Sequence, residues 1–296
     1  MRPTPGLTSL RNSTMPYTTL IDGATVQQHL GDPGWCIVDL RHQLSDTTYG
    51  EKAYAAGHLP GAVFLHLDRD LSGPMTGTNG RHPLPDPAVL AARLGRAGIG
   101  RDTQVVVYDD AAGMIAGRLW WLLRWLGHER VAFLDGGFPL WQAEGRPLTV
   151  EVPARAPCIL AEQSPAIPLA ATVDADWLLA RLGTPELCLI DARGPDRFRG
   201  ENETIDPVAG HIPGARNRCF KDNLDADGRF KPAALLRTEY QALMAGNDSR
   251  EVVVQCGSGV SACLNLLAME VAGLHGARLY PGSWSEWCSD RSRPVA

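Results

Sequence analysis

Short apolar runs alternate along this chain with longer stretches in which apolar residues recur at helical spacing. The runs IVDL, VVVYD and VAFLD in the first half, and LCLID, VVVQC and ARLYP in the second, lack the polar alternation of a half-exposed strand. Continuous apolar runs of this length are typical of parallel strands buried on both faces. The pattern predicts an α/β fold in which open, mostly parallel sheets carry helices on both faces.

The same plan of strands and helices occurs twice. AGHLPGAVFLHLD (56–68) matches AGHIPGARNRCFKD (209–222), and VVVYDDAAGMIAGRLWWLLRWLG (105–127) aligns with VVVQCGSGVSACLNLLAMEVAG (252–273). The separation of about 150 residues is too long for a solenoid repeat and has the length of a typical domain. The repeat therefore indicates two copies of one domain.

The repeat also predicts the domain boundaries. We expect an N-terminal copy over 17–145 and a C-terminal copy over 171–296. The segment between them, 146–170, is rich in Pro and Ala and is interpreted as a linker. Residues 1–16 are interpreted as a disordered leader.

Composition narrows the class of protein. The 296 residues are 44% hydrophobic and carry a net charge of −5, which is typical of a globular protein and argues against nucleic-acid binding. No run is long and apolar enough for a membrane span, and no secretory signal is recognisable, so we expect a cytoplasmic protein without a membrane partner. The seven cysteines lack CxxC spacing, which predicts neither a disulfide framework nor a metal site, and we expect no cofactor.

Cys256 follows the apolar run EVVVQ directly, at the end of a predicted strand where open α/β sheets bind ligands. Gly257 and Gly259 permit a tight loop whose N–H groups turn toward its centre, and the helical run SACLNLLAMEVAG places this loop at a helix N-terminus. Both features favour a thiolate. The loop therefore predicts a nucleophilic Cys256, although a cysteine after a strand is commonly a small core residue.

The first copy has Asp109 at the position of Cys256, within YDDAAG. An aspartate cannot act as a sulfur nucleophile, and the neighbouring Asp110 would repel an anionic ligand. We therefore expect one reactive copy and one inactive copy.

These motifs together resemble the tandem-domain rhodanese-type sulfurtransferases over residues 20–290. The resemblance is carried by the paired GHLPGA and GHIPGA motifs, the cysteine at the strand end, and DGGFPLW and PGSWSEW near the ends of the copies. It implies that Cys256 takes a sulfane sulfur from a small-molecule donor and becomes a persulfide. The sulfur then passes to a thiol, cyanide or thioredoxin-like acceptor, with ping-pong kinetics.

The residues after Cys256 bear on the identity of the donor. Rhodaneses specific for thiosulfate have Arg and Lys where this chain has Gly257 and Ser258. CGSGVS is similar to the CGSGVT loop of 3-mercaptopyruvate sulfurtransferases, with Ser261 in place of Thr. The resemblance implies 3-mercaptopyruvate as donor, with thiosulfate as the alternative, and a donor site that includes Gly257, Gly259, Val260 and Ser261.

The resemblance also implies a proton relay of Ser258, His82 (in GRHPLP) and Asp68 (in HLDRD). His82, oriented by Asp68, would handle the proton of the donor thiol. Taken alone, HPLP could be a surface loop and Asp68 a helix cap. If the relay forms, the active site lies between the two copies.

Arginine is expected at the donor carboxylate, because its fork of donors matches that group. Arg197 occupies the position of the family's donor-binding arginine. The family's second arginine corresponds here to Thr204, so Arg193 or Arg199 is expected to compensate.

Two other classes of protein compete with this interpretation. A cysteine phosphatase needs an arginine six or seven residues after the cysteine, where this chain has Ala262 and Cys263. A non-catalytic rhodanese-like binding module would retain no nucleophile, whereas Cys256 is present. His58 and His211 recur in both copies and are predicted to be structural, and the tryptophans of RLWWLLRWLG are predicted to pack in the core and between domains.

Overall fold

A computed structural model describes residues 15–160 and 172–296 of the chain. The predicted disordered leader lies outside the described residues except for 15–16. The predicted linker is described only over 146–160.

Each half of the described chain forms one parallel sheet. The strands of the first half are β1 (Leu20–Ile21), β2 (Trp35–Asp39), β3 (Val63–Phe64), β4 (Gln104–Tyr108) and β5 (Val131–Leu134), and those of the second are β6 (Cys188–Asp191), β7 (Arg216–Asn217), β8 (Val252–Gln255) and β9 (Arg278–Leu279). The order is β1-β5-β4-β2-β3 in the first sheet and β7-β6-β8-β9 in the second, and all neighbours are parallel. The predicted α/β architecture with two parallel sheets is confirmed.

Helices connect the strands in both halves. Those of the first half are α1 (Gly23–Gln28), α2 (Tyr49–Ala56), α3 (Leu67–Asp70), α4 (Pro87–Arg96), α5 (Ala116–Trp125) and α6 (Gly137–Ala143). Those of the second are α7 (Ala175–Leu179), α8 (Pro195–Phe198), α9 (Ala233–Met244), α10 (Ala262–Val271) and α11 (Ser283–Trp287), with short 3-10 turns at Phe220–Asn223 and Ser249–Glu251.

Both faces of each sheet are buried, which explains why the strands lack polar alternation. Successive strand residues point to opposite faces. On β4, Val105 and Val107 face a large core, whereas Val106 and Tyr108 face a smaller core on the other side. The large core is shared, because it contains residues of both sheets and of the helices between them.

Helices α5 and α10 lie against each other in the middle of the shared core. A Cβ atom on Gly117 of α5 would stand 3.1 Å from the backbone nitrogen of Leu264 on α10, so the close approach of the two helices depends on a glycine there. Trp120 and Trp121 of α5 are buried in the same core, as the sequence predicted. The two copies therefore pack as one body around these helices.

The described part of the predicted linker runs along the first copy. Thr149 forms an isolated bridge with His58, and the His58 ring nitrogens lie 2.8 Å from the carbonyl oxygen of Tyr54 and 3.1 Å from that of Glu151. In the second copy, Nδ1 of His211 lies 2.9 Å from the carbonyl oxygen of Phe198. Both histidines hold turns together, in agreement with their predicted structural role.

The loop between β4 and α5 encloses the carboxylate of Asp109, which is buried. Its two oxygens accept four backbone N–H groups at 2.8–2.9 Å, from Ala111, Gly113, Ile115 and Ala116. Burial raises the pKa of Asp109, and the four donors oppose that rise. The N–H groups of this loop thus bind a carboxylate that belongs to the loop itself.

Replacing Asp109 by Ala should destabilise the fold, because it leaves four N–H groups, three of them buried, without an acceptor. We expect the free energy of unfolding, measured by urea denaturation, to fall by roughly 2–4 kcal/mol. Asp102→Ala, at an exposed position of the same copy, is the matched control and should change stability by less than about 0.5 kcal/mol. Equal stability of the two variants would contradict a structural role for the Asp109 carboxylate.

Candidate active site

Cys256 lies between β8 and α10, at the carboxyl edge of the second sheet. Its residue surface is only 2% exposed, and Val260 and Ser261 of the same loop are also buried. Gly259 has a φ of +74°, and a Cβ atom there would stand 2.3 Å from the carbonyl oxygen of Pro281, so only glycine fits. The loop is therefore tightly shaped around the thiol, as its glycines predicted.

The backbone N–H groups of residues 257–261 have no hydrogen-bond acceptor among the described residues. The N–H of Cys256 itself donates to Oγ of Ser283 at 3.1 Å. In the first copy, the corresponding loop directs its N–H groups at the Asp109 carboxylate. The comparison indicates that the Cys256 loop can receive an anion in the same way.

Ser258, His82 and Asp68 come together although they derive from distant parts of the chain. Nδ1 of His82 lies 2.7 Å from Oγ of Ser258, and Nε2 of His82 lies 3.2 Å from Oδ1 of Asp68. Ser258 and His82 are buried, and the hydrogen bond from His82 lowers the pKa of Asp68. A proton on Nε2, held by the carboxylate, leaves Nδ1 as an acceptor for the serine hydroxyl.

Arg197 is held by two acids beside the Cys256 loop. Its guanidinium donates to Glu203 at 2.8 Å and to Asp206 at 3.2 Å. A Cβ atom on Gly257 would lie 3.5 Å from Nη1 of Arg197, so this nitrogen stands next to the residue after the cysteine. Thr204, at the position of the missing second arginine, is exposed.

Arg81 is a candidate site residue that the sequence did not indicate. Its Nη2 would lie 3.0 Å from a Cβ on Gly257, and its Nη1 pairs with Asp206. Arg81 belongs to the first copy and directly precedes His82 in GRHPLP. The signal available in the sequence was its position next to His82, a relay residue that was expected to contact the other copy.

Arg193 is held by two acids and by the backbone. It pairs with Asp191 at 2.7 Å and with Glu203, which also holds Arg197, at 3.4 Å, and it donates to the carbonyl oxygen of Gly210 at 2.8 Å. Arg41 repeats this arrangement in the first copy, with Asp39 as its partner. The recurrence in both copies indicates a structural pair, as for the two turn histidines.

Arg199 points into solvent. Its guanidinium pairs with Glu201 at 2.7 Å, and its side chain is 53% exposed. The three atoms nearest to a Cβ on Gly257 belong to Arg81 and Arg197, not to either arginine expected to compensate for Thr204.

Within 15–160 and 172–296, no group of three or more His, Cys, Asp or Glu side chains could hold a metal ion. All seven cysteines are free. None of the helices in the described part of the chain is long and apolar enough to cross a membrane.

Comparison with known proteins finds relatives that are named sulfurtransferases. Among curated proteins, a Pseudomonas aeruginosa protein named "Probable 3-mercaptopyruvate sulfurtransferase" is 48% identical over 284 residues, covering 95% of this chain and 99% of its relative. A thiosulfate sulfurtransferase from Azotobacter vinelandii is 33% identical over 278 residues, covering 93% of this chain and 96% of its relative.

Solved structures give the same result. A 3-mercaptopyruvate sulfurtransferase from Leishmania major superposes with a TM-score of 0.81 at 29% identity, covering 94% of this chain and 76% of that one. A structure from Escherichia coli, described as a 3-mercaptopyruvate sulfotransferase with the rhodanese fold, has a TM-score of 0.75 at 30% identity, covering 90% and 99%. The family model of the rhodanese-like domain matches residues 22–144 and 174–290. This chain therefore belongs to the rhodanese-like family and carries two copies of its domain in tandem.

Proposed function

We propose that this protein is a sulfurtransferase that moves a sulfane sulfur from 3-mercaptopyruvate, through a persulfide on Cys256, to a nucleophilic acceptor. The observation that carries the proposal is the Cys256 loop, whose N–H groups at 257–261 have no acceptor among the described residues. A persulfide needs such donors, because its outer sulfur is an anion that must be stabilised away from bulk water.

In the first half-reaction, the Cys256 thiolate attacks the sulfur of the donor. An S–S bond forms to Cys256 while the C–S bond of 3-mercaptopyruvate breaks, and the electron pair of that bond passes to the three-carbon fragment. The proton that was on the donor sulfur ends on the carbon of this fragment, which leaves as pyruvate. Charge and atoms balance without an external oxidant or reductant.

The proposed role of Ser258, His82 and Asp68 is to transfer the proton of the donor thiol. The 2.7 Å contact from Ser258 to His82 provides a path from the donor sulfur to an imidazole that can hold the proton. Asp68 orients the ring and stabilises its protonated form. The relay joins the two copies, which accounts for the retention of a copy without a nucleophile.

We assign the donor carboxylate to Arg197 and Arg81. Each guanidinium is held on one side by Asp206 and directs another nitrogen at Gly257, next to the reactive sulfur. Two forked cations at this position suit a carboxylate beside a ketone. Arg81 thereby supplies the second arginine, whose family position is occupied by Thr204 in this chain. We assign this role to Arg81 and not to Arg193 or Arg199.

Thiosulfate is the second candidate donor. Two arginines next to Gly257 also suit a small dianion, and relatives of this chain include thiosulfate sulfurtransferases. With thiosulfate, the Cys256 thiolate would take the outer sulfur and release sulfite, with no proton to move. Comparing kcat/KM for the two donors with one acceptor decides between them.

The second half-reaction transfers the outer sulfur to an acceptor. A thiol would become a persulfide and cyanide would become thiocyanate, and either reaction returns the Cys256 thiolate. A small thiol, cyanide or a thioredoxin-like protein each supplies the required nucleophile. The seven free cysteines favour a reducing compartment such as the cytoplasm.

Cys256→Ser should abolish sulfur transfer, since a hydroxyl cannot form the persulfide. Intact mass after incubation with 3-mercaptopyruvate should show the gain of one sulfur in the wild type, reversed by cyanide, and no gain in the variant. Cys158→Ser removes an exposed cysteine and serves as the matched control, with the wild-type gain. Turnover near the wild-type rate in Cys256→Ser would remove the basis of the assignment. A wild-type protein that gains no sulfur from either donor would favour a binding module.

Arg81→Ala should raise KM for 3-mercaptopyruvate by about 10- to 100-fold, because it removes a charged hydrogen bond to the carboxylate. Arg81→Lys should restore only part of the affinity, since an ammonium lacks the fork of donors. Arg250→Ala, which removes an exposed arginine paired with Asp248, is the control. Steady-state kinetics give the values, and a KM within twofold of the wild type would show that Arg81 does not bind the donor.

His82→Ala should lower kcat/KM for 3-mercaptopyruvate by roughly 10²–10⁴-fold, in the range of general acid–base catalysis. The same variant should lose only a few-fold with thiosulfate, which carries no thiol proton. His275→Ala, at an exposed site paired with Glu270, is the control. An equal loss with both donors would mean that His82 supports the loop and not proton transfer.

A further inference from the structure

Arg118 is a fully buried arginine that the proposed reaction has not used. It lies on α5 of the first copy, and its side chain reaches the active-site loop of the second. Nη1 donates to the carbonyl oxygen of Gly259 at 3.0 Å, and Nη2 donates to that of His82 at 3.1 Å. One guanidinium thus connects the loop that carries Cys256 with the segment that carries the relay histidine.

The charge of this guanidinium has no acidic partner in 15–160 and 172–296. Arg118 forms no ion pair with a described carboxylate, and its Nε has no hydrogen-bond partner there. Burial lowers the pKa of Arg118, but the ordinary pKa of a guanidinium is so high that an arginine keeps its proton. A buried cation without a counter-charge is costly, so a nearby anion would stabilise it strongly.

The carbonyl oxygen of Gly259 that accepts from Arg118 belongs to the loop that begins at Cys256, three residues earlier. Cys263 is fully buried on α10, its Sγ lies 3.4 Å from the same oxygen, and burial raises its pKa to about 12. Cys263 therefore remains a neutral thiol at physiological pH. An anionic sulfur on Cys256 would stand on the loop that Arg118 holds.

Comparison of the two copies supports an electrostatic role. Helices α5 (Ala116–Trp125) and α10 (Ala262–Val271) have the same length, and each is followed by a glycine with positive φ, Gly127 and Gly273, so Leu264 stands at the position of Arg118. Leu264 is buried and apolar. The cation therefore stands on the copy without a nucleophile and points at the loop of the copy that has one.

We propose that Arg118 supplies the fixed positive charge that stabilises the anionic sulfur of Cys256, as thiolate and as persulfide. Arg118 acts as a positioning residue as well, because it ties the carbonyl groups of Gly259 and His82 together. The proposal rests on the proposed role of Cys256 as nucleophile.

Other ionisable groups also surround the Cys256 loop and contribute to its behaviour with pH. They are Arg81 and Arg197 beside Gly257 with their partners Glu203 and Asp206, His82 behind Ser258, Cys263 below the loop, and Cys288 at the end of α11. Arg118 differs from the other two arginines of this set in lacking an acidic partner among the described residues.

The test is the rate at which iodoacetamide alkylates Cys256 as a function of pH, in the absence of any sulfur donor. Peptide fragmentation distinguishes Cys256 from Cys263. Because the thiolate is the reactive form, loss of the charge in Arg118→Met should slow alkylation about tenfold at neutral pH. The difference should close as the pH rises, since every Cys256 then ionises. Arg118→Gln retains a hydrogen-bond donor without the charge and should show the same slower alkylation. This variant tests the proposal if Arg118→Met does not fold.

Arg124→Met is the matched control. Arg124 lies on the same helix, is also largely buried, and pairs with Glu270 at 3.6 Å, away from the loop. Its replacement should leave the pH profile of Cys256 unchanged. An unchanged alkylation rate in the Arg118 variants would overturn the proposal. A rate that is lower by the same factor at every pH would also overturn it, because that result reports only altered access to Cys256. The measurement uses no donor, so its outcome is separate from that of the sulfur-transfer assay.

Discussion

The contact between α5 and α10 is the constraint on which the active site depends. Both helices begin at the loops that follow the central strands β4 and β8, so packing them together brings the two loops close to each other. Gly117 allows this approach, since a side chain there would meet the backbone of Leu264. The apolar surface of the two helices is buried in one shared core, which makes the arrangement of the copies part of the fold itself.

Duplication produced two loops of related shape and different content. In one, Asp109 accepts four N–H groups and completes the loop from within. In the other, the thiol of Cys256 occupies the equivalent position and the N–H groups of 257–261 have no described acceptor. The first loop is thus a structural element held by its own anion, whereas the second is suited to an anion that arrives during a reaction. The loop with Asp109 therefore serves stability, whereas the related loop with Cys256 is suited to chemistry.

The copy without a cysteine at this position contributes charged and ionisable groups to the surroundings of the Cys256 loop. His82, which pairs with Asp68, reaches Ser258, Arg81 reaches Gly257, and Arg118 reaches the carbonyl of Gly259. These groups lie against the loop of Cys256, a residue that is only 2% exposed, and charges interact more strongly in such a site than in water. A single rhodanese-like domain would lack all of them, so the tandem arrangement is part of the proposed mechanism.

The sequence by itself determined the features that depend on local periodicity and on the repeat. Unbroken apolar runs predicted strands buried on both faces, and the glycines around Cys256 predicted its tight loop, because both follow from the backbone of a short segment. The motifs around Ser258, His82 and Asp68 pointed to a relay, but only the tertiary structure brings those three side chains within 3.2 Å. It also shows which arginines lie at the loop. Arg193 pairs with Asp191 and Glu203, and Arg199 pairs with Glu201, whereas Arg81 and Arg118 reach the loop from the other copy. Spacing along the chain encodes which residues share an element, and it carries little information on which side chains meet when two distant elements pack. The candidate nucleophile was therefore visible in the sequence, while the charges that the first copy places at its loop emerged only from the contact of the two copies.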